Sequence, residues 1–387
     1  MKAIIIIDMK KVFIYLAAAA ILPLLCASCA KKSTVSGQLE GLGDSLKVEV
    51  FDISNGRTPL SSMIVPVVDG KFTCDVSDTT VRGLLLSDPS GNGGKASLIY
   101  VPGEYAQVTG RLDSLVVTGG SPFYKDQKAY DDLCAEDRAK LTEIVNEYRA
   151  LPAEASDEAK DAVMAKYDEV NNHIAAISKD FILKNPASLY AATLVNHLVG
   201  EDGKDALEVL EVIPDNVKQG LMKVYLDQAS ERATKAKARS EAAEKVKDGM
   251  QAPDFTLKNE KGEDFALSSI YNKGKYIILD FWGEWCYWCK KGIPDMKQLY
   301  KDAKGKIEIV SIDCGDTEEV WKKAIVDHEL PWLHVFNPDG TGDGVSLKYA
   351  VTGYPTKVIL NPDGTINKTI VGEDPEFYDY VKSLIKK

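Results

Sequence analysis

A continuous apolar segment that leads into two closely spaced cysteines is the feature that most constrains the fold of this chain. Tyr276–Trp282 is an apolar run of the kind that forms a strand buried on both faces of a sheet, and Cys286 and Cys289 follow it. If a helix begins at Cys286, its sulfur lies at the positive end of that helix, where unpaired backbone N–H groups stabilise a thiolate. The pattern therefore predicts an α/β domain with a reactive thiol at the junction of a strand and a helix.

The spacing of the two cysteines predicts different roles for them. We expect Cys289, one helical turn after Cys286, to be close enough for a disulfide and shielded from solvent. Cys286 would then attack a substrate disulfide, and Cys289 would attack the mixed disulfide and release the reduced product. Two cysteines at this spacing can also form half of a zinc site, but the sequence supplies no second pair of ligands. We therefore expect neither a metal nor another cofactor.

An aspartate lies within the apolar run. Asp280 precedes Cys286 by six residues, and a carboxylate held in an apolar strand should have a raised pKa. Such a group suits the role of proton acceptor for the thiol of Cys289. The alternative is that Asp280 only caps the end of the strand.

Residues 249–387 resemble the TlpA and ResA branch of the thioredoxin family. Ala252–Leu257 match the start of the β-hairpin that precedes the first central strand in that branch, and Val351–Thr356 match its cis-proline loop. Pro294 matches the proline that kinks the helix after the cysteine pair. The resemblance implies a thioredoxin-like α/β domain that catalyses thiol-disulfide exchange.

The resemblance also implies how a substrate reaches the cysteines. Pro355 would lie against the pair and join Cys286, Cys289 and Asp280 as a catalytic residue, with a cis peptide bond before it. The backbone of Tyr354 would pair with an extended substrate segment in the manner of an added strand. The residues expected to contact the substrate flank the cysteines and the proline: Trp285, Tyr287, Trp288, Tyr354 and Thr356.

The chain departs from the family pattern at three places. Tyr287 and Trp288 stand between the cysteines where thioredoxin has Gly-Pro, so the reduction potential does not follow from the sequence. Gly292 stands where many ResA-like proteins carry a glutamate, so the acid of that position is missing. Cys314 is an additional thiol at the end of a predicted central strand; we expect a buried spectator, with a third redox partner as the alternative.

Residues 1–29 are typical of a targeting segment. Two lysines precede the apolar stretch Val12–Leu25, which is too short to span a bilayer comfortably and ends in small residues. The stretch runs into a sequence that resembles the lipobox of bacterial lipoproteins, where the serine before Cys29 favours it over Cys26 as the acylated residue. The alternative is a cleaved secretory signal followed by a free cysteine.

Either interpretation places the mature protein outside the cytoplasm. The lipoprotein interpretation anchors it by a lipid on the periplasmic side of a cell-envelope membrane, which we expect to be the outer membrane. Disulfides persist in such a compartment, so thiols there are paired, buried or reactive. For Cys74 and Cys134 we expect burial.

Residues 30–120 form the first region after the targeting segment. They carry short β-type runs at close spacing, and Asp69-Gly70 between two of them is a hairpin signal. We expect a small antiparallel sandwich or barrel. The arrangement resembles the all-β N-terminal domain found ahead of thioredoxin modules in Bacteroidetes lipoproteins.

Residues 121–248 form a helical region. Apolar residues at spacings of three and four between Val163 and Phe181 define one stripe on a helix. Further helices are predicted over Tyr130–Tyr148 and Val217–Lys247. The chain is therefore expected to be multidomain, with a thioredoxin-like domain over 249–387 and upstream regions whose hypothetical role is docking or dimerisation.

The charge of the chain limits its partners. With 58 acidic and 47 basic residues the net charge is −11, and no run of lysine and arginine supplies the basic face that nucleic acid binding needs. We expect protein substrates with disulfides or thiols, and a membrane electron donor that keeps the cysteine pair reduced.

The predicted function is thiol-disulfide oxidoreduction, in the direction of disulfide reduction. A thiol peroxidase would need a threonine and a peroxidatic cysteine in a proline-rich loop, and the segment from Asp280 to Cys289 has no threonine. A redox-inactive scaffold on the same fold usually lacks one of the two cysteines, and both are present here. These two functions remain the alternatives.

Overall fold

The computed structural model describes residues 32–53, 58–91 and 94–386, so the targeting segment and Cys29 lie outside the described residues. The chain divides into two compact units that interleave in sequence. The first comprises the described residues up to Asn196 together with Glu211–Asp227, and the second comprises His197–Leu210 and the residues from Gln228 onward.

The first unit begins with two four-stranded β-sheets, in the orders β4-β1-β7-β8 and β3-β2-β5-β6. Alternate residues of their strands are buried, as Phe72, Cys74 and Val76 are on β4, so each sheet has one apolar face. Tyr100 on β6 donates a hydrogen bond to the carbonyl of Asp78 just beyond β4, which links the two sheets. The strands are β1 Lys32–Leu39, β2 Ser45–Asp52, β3 Pro59–Pro66, β4 Lys71–Ser77, β5 Arg82–Ser87, β6 Lys95–Tyr100, β7 Tyr105–Arg111 and β8 Ser114–Gly120.

Strand β1 departs from the expected antiparallel arrangement. It pairs antiparallel with β4 but parallel with β7, so it is an interior strand of its sheet. A Cβ atom on Gly37 would lie 2.1 Å from the carbonyl oxygen of Val108 on β7. Only glycine therefore fits at this position without a shift of the backbone. The prediction of an all-antiparallel domain is wrong at this pair.

The turn at Asp69-Gly70 forms as the sequence predicts. Both residues have positive φ, 51° and 72°, and Val68 and Lys71 exchange backbone hydrogen bonds across the turn. The strands on its two sides belong to different sheets, however. The turn therefore carries the chain from one sheet to the other and does not close a hairpin within one sheet.

Helices follow the sheets. The predicted apolar stripe lies on α3, where Val163 and Phe181 are buried. The single helix predicted over Tyr130–Tyr148 is broken at Cys134 into α1 and α2, and the predicted last helix is likewise two helices, α6 and α7. The helices are α1 Pro122–Leu133, α2 Ala135–Ala150, α3 Asp157–Lys184, α4 Leu189–Leu194, α5 Lys204–Val212, α6 Asp215–Lys218 and α7 Lys223–Ala243, with a 3₁₀ turn at Val195–Leu198.

The second unit contains a seven-stranded sheet in the order β10-β9-β13-β12-β11-β14-β15. Its central strands β11, β12 and β13 run parallel, whereas β14, β15 and β9 are antiparallel to their neighbours. The strands are β9 Thr256–Asn259, β10 Asp264–Ala266, β11 Tyr276–Trp282, β12 Ile307–Cys314, β13 Leu333–Asn337, β14 Thr356–Leu360 and β15 Ile366–Val371.

Apolar side chains cover both faces of this sheet. On one face Ile278 packs with Met296 and Phe377, and on the other Ile277 packs with Val310 and Val358. Burial on both faces explains why apolar residues form the majority in the central strands. The helices are α8 Tyr287–Asp302, α9 Glu318–Asp327, α10 Gly344–Lys348 and α11 Pro375–Ile385, with a 3₁₀ turn at Leu267–Ile270. None of the helices in the described parts of the chain is both long and apolar enough to cross a membrane.

Candidate active site

The two cysteines lie where strand β11 passes into helix α8. Cys286 is the N-cap residue of α8, with extended backbone angles (φ −85°, ψ 109°), and its Sγ accepts a hydrogen bond from the backbone N–H of Cys289 at 3.1 Å. The two side chains form a disulfide, with their Cα atoms 5.3 Å apart. The sulfur of Cys286 therefore lies at the amino end of the helix, where a thiolate would be stabilised.

The two cysteines do not differ in exposure in this disulfide form. Cys286 is 5% exposed and Cys289 is 7% exposed, so the expected contrast between an accessible and a shielded residue is absent. The difference that remains is position, since only Cys286 caps the helix. Any assignment of roles must therefore depend on the helix end and not on accessibility.

Exposed aromatic side chains surround the disulfide. Trp285, Tyr287 and Trp288 are each at least half exposed. The rings of Tyr287 and Trp288 meet edge to face with centroids 5.4 Å apart, and the ammonium group of Lys291 lies 4.6 Å from the Trp288 ring centroid. Large exposed aromatic groups next to a buried disulfide are suited to contact an incoming apolar segment.

The proline loop lies against the cysteine pair. The Tyr354–Pro355 peptide bond is cis, and Pro355 lines the same small cavity as Cys289. The ring of Tyr354 packs edge to face on Trp285 at a centroid distance of 5.3 Å. Thr356 is 1% exposed and its hydroxyl donates to the carbonyl of Gly353 at 2.7 Å. Its side chain therefore braces the loop and, contrary to expectation, is not exposed for contact with a substrate.

Asp280 lies inside β11 beneath helix α8. Its carboxylate accepts a hydrogen bond from the hydroxyl of Ser311 at 3.0 Å, and Ser311 in turn accepts one from the indole N–H of Trp332 at 2.9 Å. Burial raises the pKa of Asp280, and this effect outweighs the opposing influence of Lys357. Asp280 and Cys289 line one cavity. The alternative of a strand-end cap is wrong, because the carboxylate bonds to a side chain of the next strand.

Two charged residues of the site were not anticipated. Lys357 lies opposite Asp280 on the neighbouring strand β14 and is only 2% exposed. Its ammonium group pairs with the carboxylate of Glu373 at 2.8 Å, and both side chains line the cavity that holds Asp280. A lysine inside a strand of buried apolar residues was the signal that could have revealed the pair, because a buried charge needs a partner.

The segment between β11 and Cys286 is held by the end of β12. Glu284 donates its backbone N–H to the carboxylate of Asp316 at 2.6 Å, and the indole of Trp285 donates to the carbonyl of Cys314 at 2.9 Å. The thiol of Cys314 is buried against the hydroxyl of Ser346 at 3.1 Å, and burial raises its pKa to about 12. The backbone of Cys314 thus positions the loop, while its thiol stays protonated at neutral pH.

Among the described residues, no three side chains of histidine, cysteine, aspartate or glutamate are grouped as a metal site would require.

Known proteins similar to this chain match its C-terminal third. The thioredoxin-like family matches residues 274–366. The thiol-disulfide oxidoreductase ResA of Bacillus subtilis is 33% identical over 146 residues, which are 37% of this chain and 78% of ResA. A ResA protein of Bacillus cereus is 32% identical over 131 residues, which are 34% of this chain and 73% of that protein. The chain belongs to the ResA family of thiol-disulfide oxidoreductases.

The C-terminal domain of this ResA family member is thioredoxin-like, and the chain is an enzyme of the thiol-disulfide oxidoreductase class. A solved structure, a thiol-disulfide oxidoreductase from Bacteroides fragilis NCTC 9343, is 31% identical and covers 35% of this chain and 98% of its own, with a TM-score of 0.32. The upstream sheets and helices make the chain multidomain.

One departure from the ResA pattern has a structural counterpart. At Gly292, where many ResA-like proteins carry a glutamate, the space that a side chain would enter is filled by the carboxylate of Glu373. Glu373 comes from the segment between β15 and α11. An acidic group is therefore present at this place, although a different element supplies it.

Proposed function

We propose that this protein reduces disulfides of other proteins outside the cytoplasm through a Cys286/Cys289 dithiol. The observation that carries the proposal is the hydrogen bond from the Cys289 N–H to the Cys286 Sγ at the amino end of α8. This arrangement stabilises negative charge on the one sulfur that begins the helix. Membership of the ResA family supports the same class of reaction.

The proposed reaction has two steps. The thiolate of Cys286 attacks one sulfur of a substrate disulfide, so a mixed disulfide forms and the other substrate sulfur leaves as a thiolate, which takes up a proton. The carboxylate of Asp280 accepts the proton of Cys289, whose sulfur then attacks Cys286 and releases the second substrate thiol. Two electrons pass to the substrate, and the resulting Cys286–Cys289 disulfide must be reduced again by an external dithiol.

The substrate would be an extended protein segment. Trp285, Tyr287 and Trp288 offer exposed aromatic surface beside the disulfide, and the backbone of Tyr354 precedes the cis-proline at the same place. An extended chain can pair with such a backbone as an added strand. Pro355, which has no N–H, keeps this edge of the loop close to the sulfurs.

The location of the protein is part of the proposal. The targeting segment and Cys29 support export and a lipid anchor on the periplasmic side of an envelope membrane, which we take to be the outer membrane. In this setting the dithiol that restores Cys286 and Cys289 would come from a membrane electron donor. The upstream unit would then serve for docking or dimerisation.

The activity of Cys286 is tested by disulfide reduction. The mature protein, supplied with dithiothreitol, should reduce insulin disulfides, and Cys286→Ala should lose this activity to the level of the reagent alone. The matched control is Cys314→Ala, which removes a buried thiol of the same domain and should retain activity. Equal activity of Cys286→Ala and the wild-type protein would show that the nucleophile is misassigned, and an inactive wild-type protein would favour a scaffold role.

The direction of the reaction is tested by the reduction potential of the Cys286/Cys289 pair. Thioredoxin-fold proteins range from about −270 mV to about −120 mV. A reductase is expected toward the negative end of this range. A value near the oxidising end would overturn the reductive direction.

A further inference from the structure

Glu373 is placed at the cysteine pair by its contacts, although it is distant from the pair in sequence. Its carboxylate lies against the backbone of Gly292, one turn after Cys289 on α8. The hydroxyl of Tyr378 donates to the same carboxylate and lies 3.3 Å from the carbonyl of Gly292. Glycine at 292 is therefore what allows the acid to approach α8.

The charge of Glu373 is joined to Lys357. Their N···O distance is 2.8 Å, and the lysine side chain is 2% exposed, the glutamate 12%. At such burial an ion pair is screened little by solvent. Lys357 is thus held by Glu373 on the side of its strand that faces α8.

Lys357 also belongs to a polar row that crosses the sheet. It lies in register with Asp280, Asp280 with Ser311, and Ser311 with His334 on β13. The ammonium group of Lys357 bonds to Glu373 and not to Asp280, whose own hydrogen bond comes from Ser311. The ammonium group of Lys357, although beside Asp280, is therefore paired with Glu373.

We propose that Glu373 is a positioning residue that, by holding the ammonium group of Lys357, keeps Asp280 basic enough to take the proton of Cys289. The proposal rests on the thiol-disulfide exchange proposed above. Without Glu373 the buried ammonium would have only Asp280 to pair with, which would stabilise the carboxylate and weaken it as a base. The other titratable groups around this network are Tyr378, Asp295 near its hydroxyl, and His334, which stays neutral because burial lowers its pKa to about 4.

The two sulfurs can be followed separately with Ellman's reagent. The Cys286 thiolate attacks the reagent and releases one thionitrobenzoate, and Cys289 then displaces the second one as the intramolecular disulfide forms. The first phase tests the proposed nucleophile, and the second phase tests the proton transfer from Cys289. The Cys286→Ala variant gives the background from the other thiols.

Glu373→Gln should leave the first phase unchanged and slow the second phase at pH values above its acidic limb. Because Asp280 would ionise at lower pH and be a weaker base, the acidic limb of the second phase should move down by about one pH unit or more. The matched control is Glu376→Gln, an exposed acid in the first turn of α11, which removes the same charge and should match wild type. A second-phase profile of Glu373→Gln equal to wild type would reduce Glu373 to a structural residue and overturn the proposal.

If the single variant does not fold, the double variant Lys357→Met with Glu373→Gln can be used in its place. It removes both members of the buried ion pair, so neither is left without its partner. Asp280 then loses the attraction of the lysine, which exceeds the repulsion by Glu373. The acidic limb of the second phase should therefore move above the wild-type position, opposite to the single variant. A double variant whose limb stays in place or moves downward would overturn the proposal, whereas a first phase that persists in Cys286→Ala would instead contradict the proposed nucleophile.

Discussion

The proton-accepting role proposed for Asp280 conflicts with stability. Its carboxyl is buried within β11, and burial raises its pKa above that of an exposed aspartate. The unfolded chain would ionise this group at about pH 4. Between that pH and the higher folded pKa, the folded protein keeps a proton that the unfolded chain has lost, so stability falls as the pH rises.

The predicted fall in stability with rising pH can be checked with Asp280→Asn in the oxidised protein. Below about pH 4 the variant and the wild-type protein should be similarly stable, because both carry a neutral side chain at 280. Above that pH the variant should become progressively more stable than wild type, until the pH reaches the folded pKa of Asp280. Urea unfolding at several pH values measures this difference, with the exposed Asp248→Asn as control. A relative stability that does not rise with pH would contradict a raised pKa at Asp280.

The elements of the second unit differ from those of the first in how well their sequence predicts them. Strand β11 has the bounds that its apolar run predicts, because both of its faces are buried and every position is constrained. The break between α1 and α2 was not predicted, because the apolar pattern continues through Cys134. No apolar run predicts strand β1, because its sequence is rich in serine, threonine and glycine and backbone pairing on both of its edges holds it.

The residues of the site also differ in how well the sequence predicts their contacts. The cysteines and Pro355 belong to local motifs, so their proximity could be expected from the resemblance. The contact between Gly292 and Glu373 could not, because it joins two elements that are distant in sequence and depends on a glycine whose missing side chain leaves room. Burial of both cysteines also depends on their surroundings in the fold.

The close approach of β1 to β7 at Gly37 gives a prediction for strand β1. Gly37→Ala would place a Cβ atom on the Val108 carbonyl, so β1 must shift and the protein should lose about 2 kcal/mol of unfolding free energy. Gly43→Ala is the matched control, because nothing lies within 4 Å of its added Cβ. Circular dichroism in urea is the suitable measurement, since all five tryptophans lie in the second unit. Equal stability of the two variants would show that the contact between Gly37 and the Val108 carbonyl is not tight.

At the scale of the whole molecule, the proposed function depends on where the thioredoxin-like unit works. A reductase whose dithiol is renewed by a membrane donor needs to stay at an envelope membrane, and the sequence before the first described strand offers Cys29 for this purpose. Two cysteines stand close together there, Cys26 and Cys29, and only acylation of the mature N-terminal residue would anchor the chain. The serine before Cys29 makes it the proposed residue.

The anchor can therefore be tested by two matched substitutions in cells of the source organism. Cys29→Ser should prevent acylation and move the protein out of the membrane fraction, whereas Cys26→Ser removes a neighbouring thiol and should leave it membrane-bound. Both variants keep Cys286 and Cys289, so disulfide reduction by the purified proteins should be unchanged, which separates location from chemistry. Membrane retention of Cys29→Ser would contradict the lipid anchor at this residue, and release of Cys26→Ser alone would assign the anchor to Cys26.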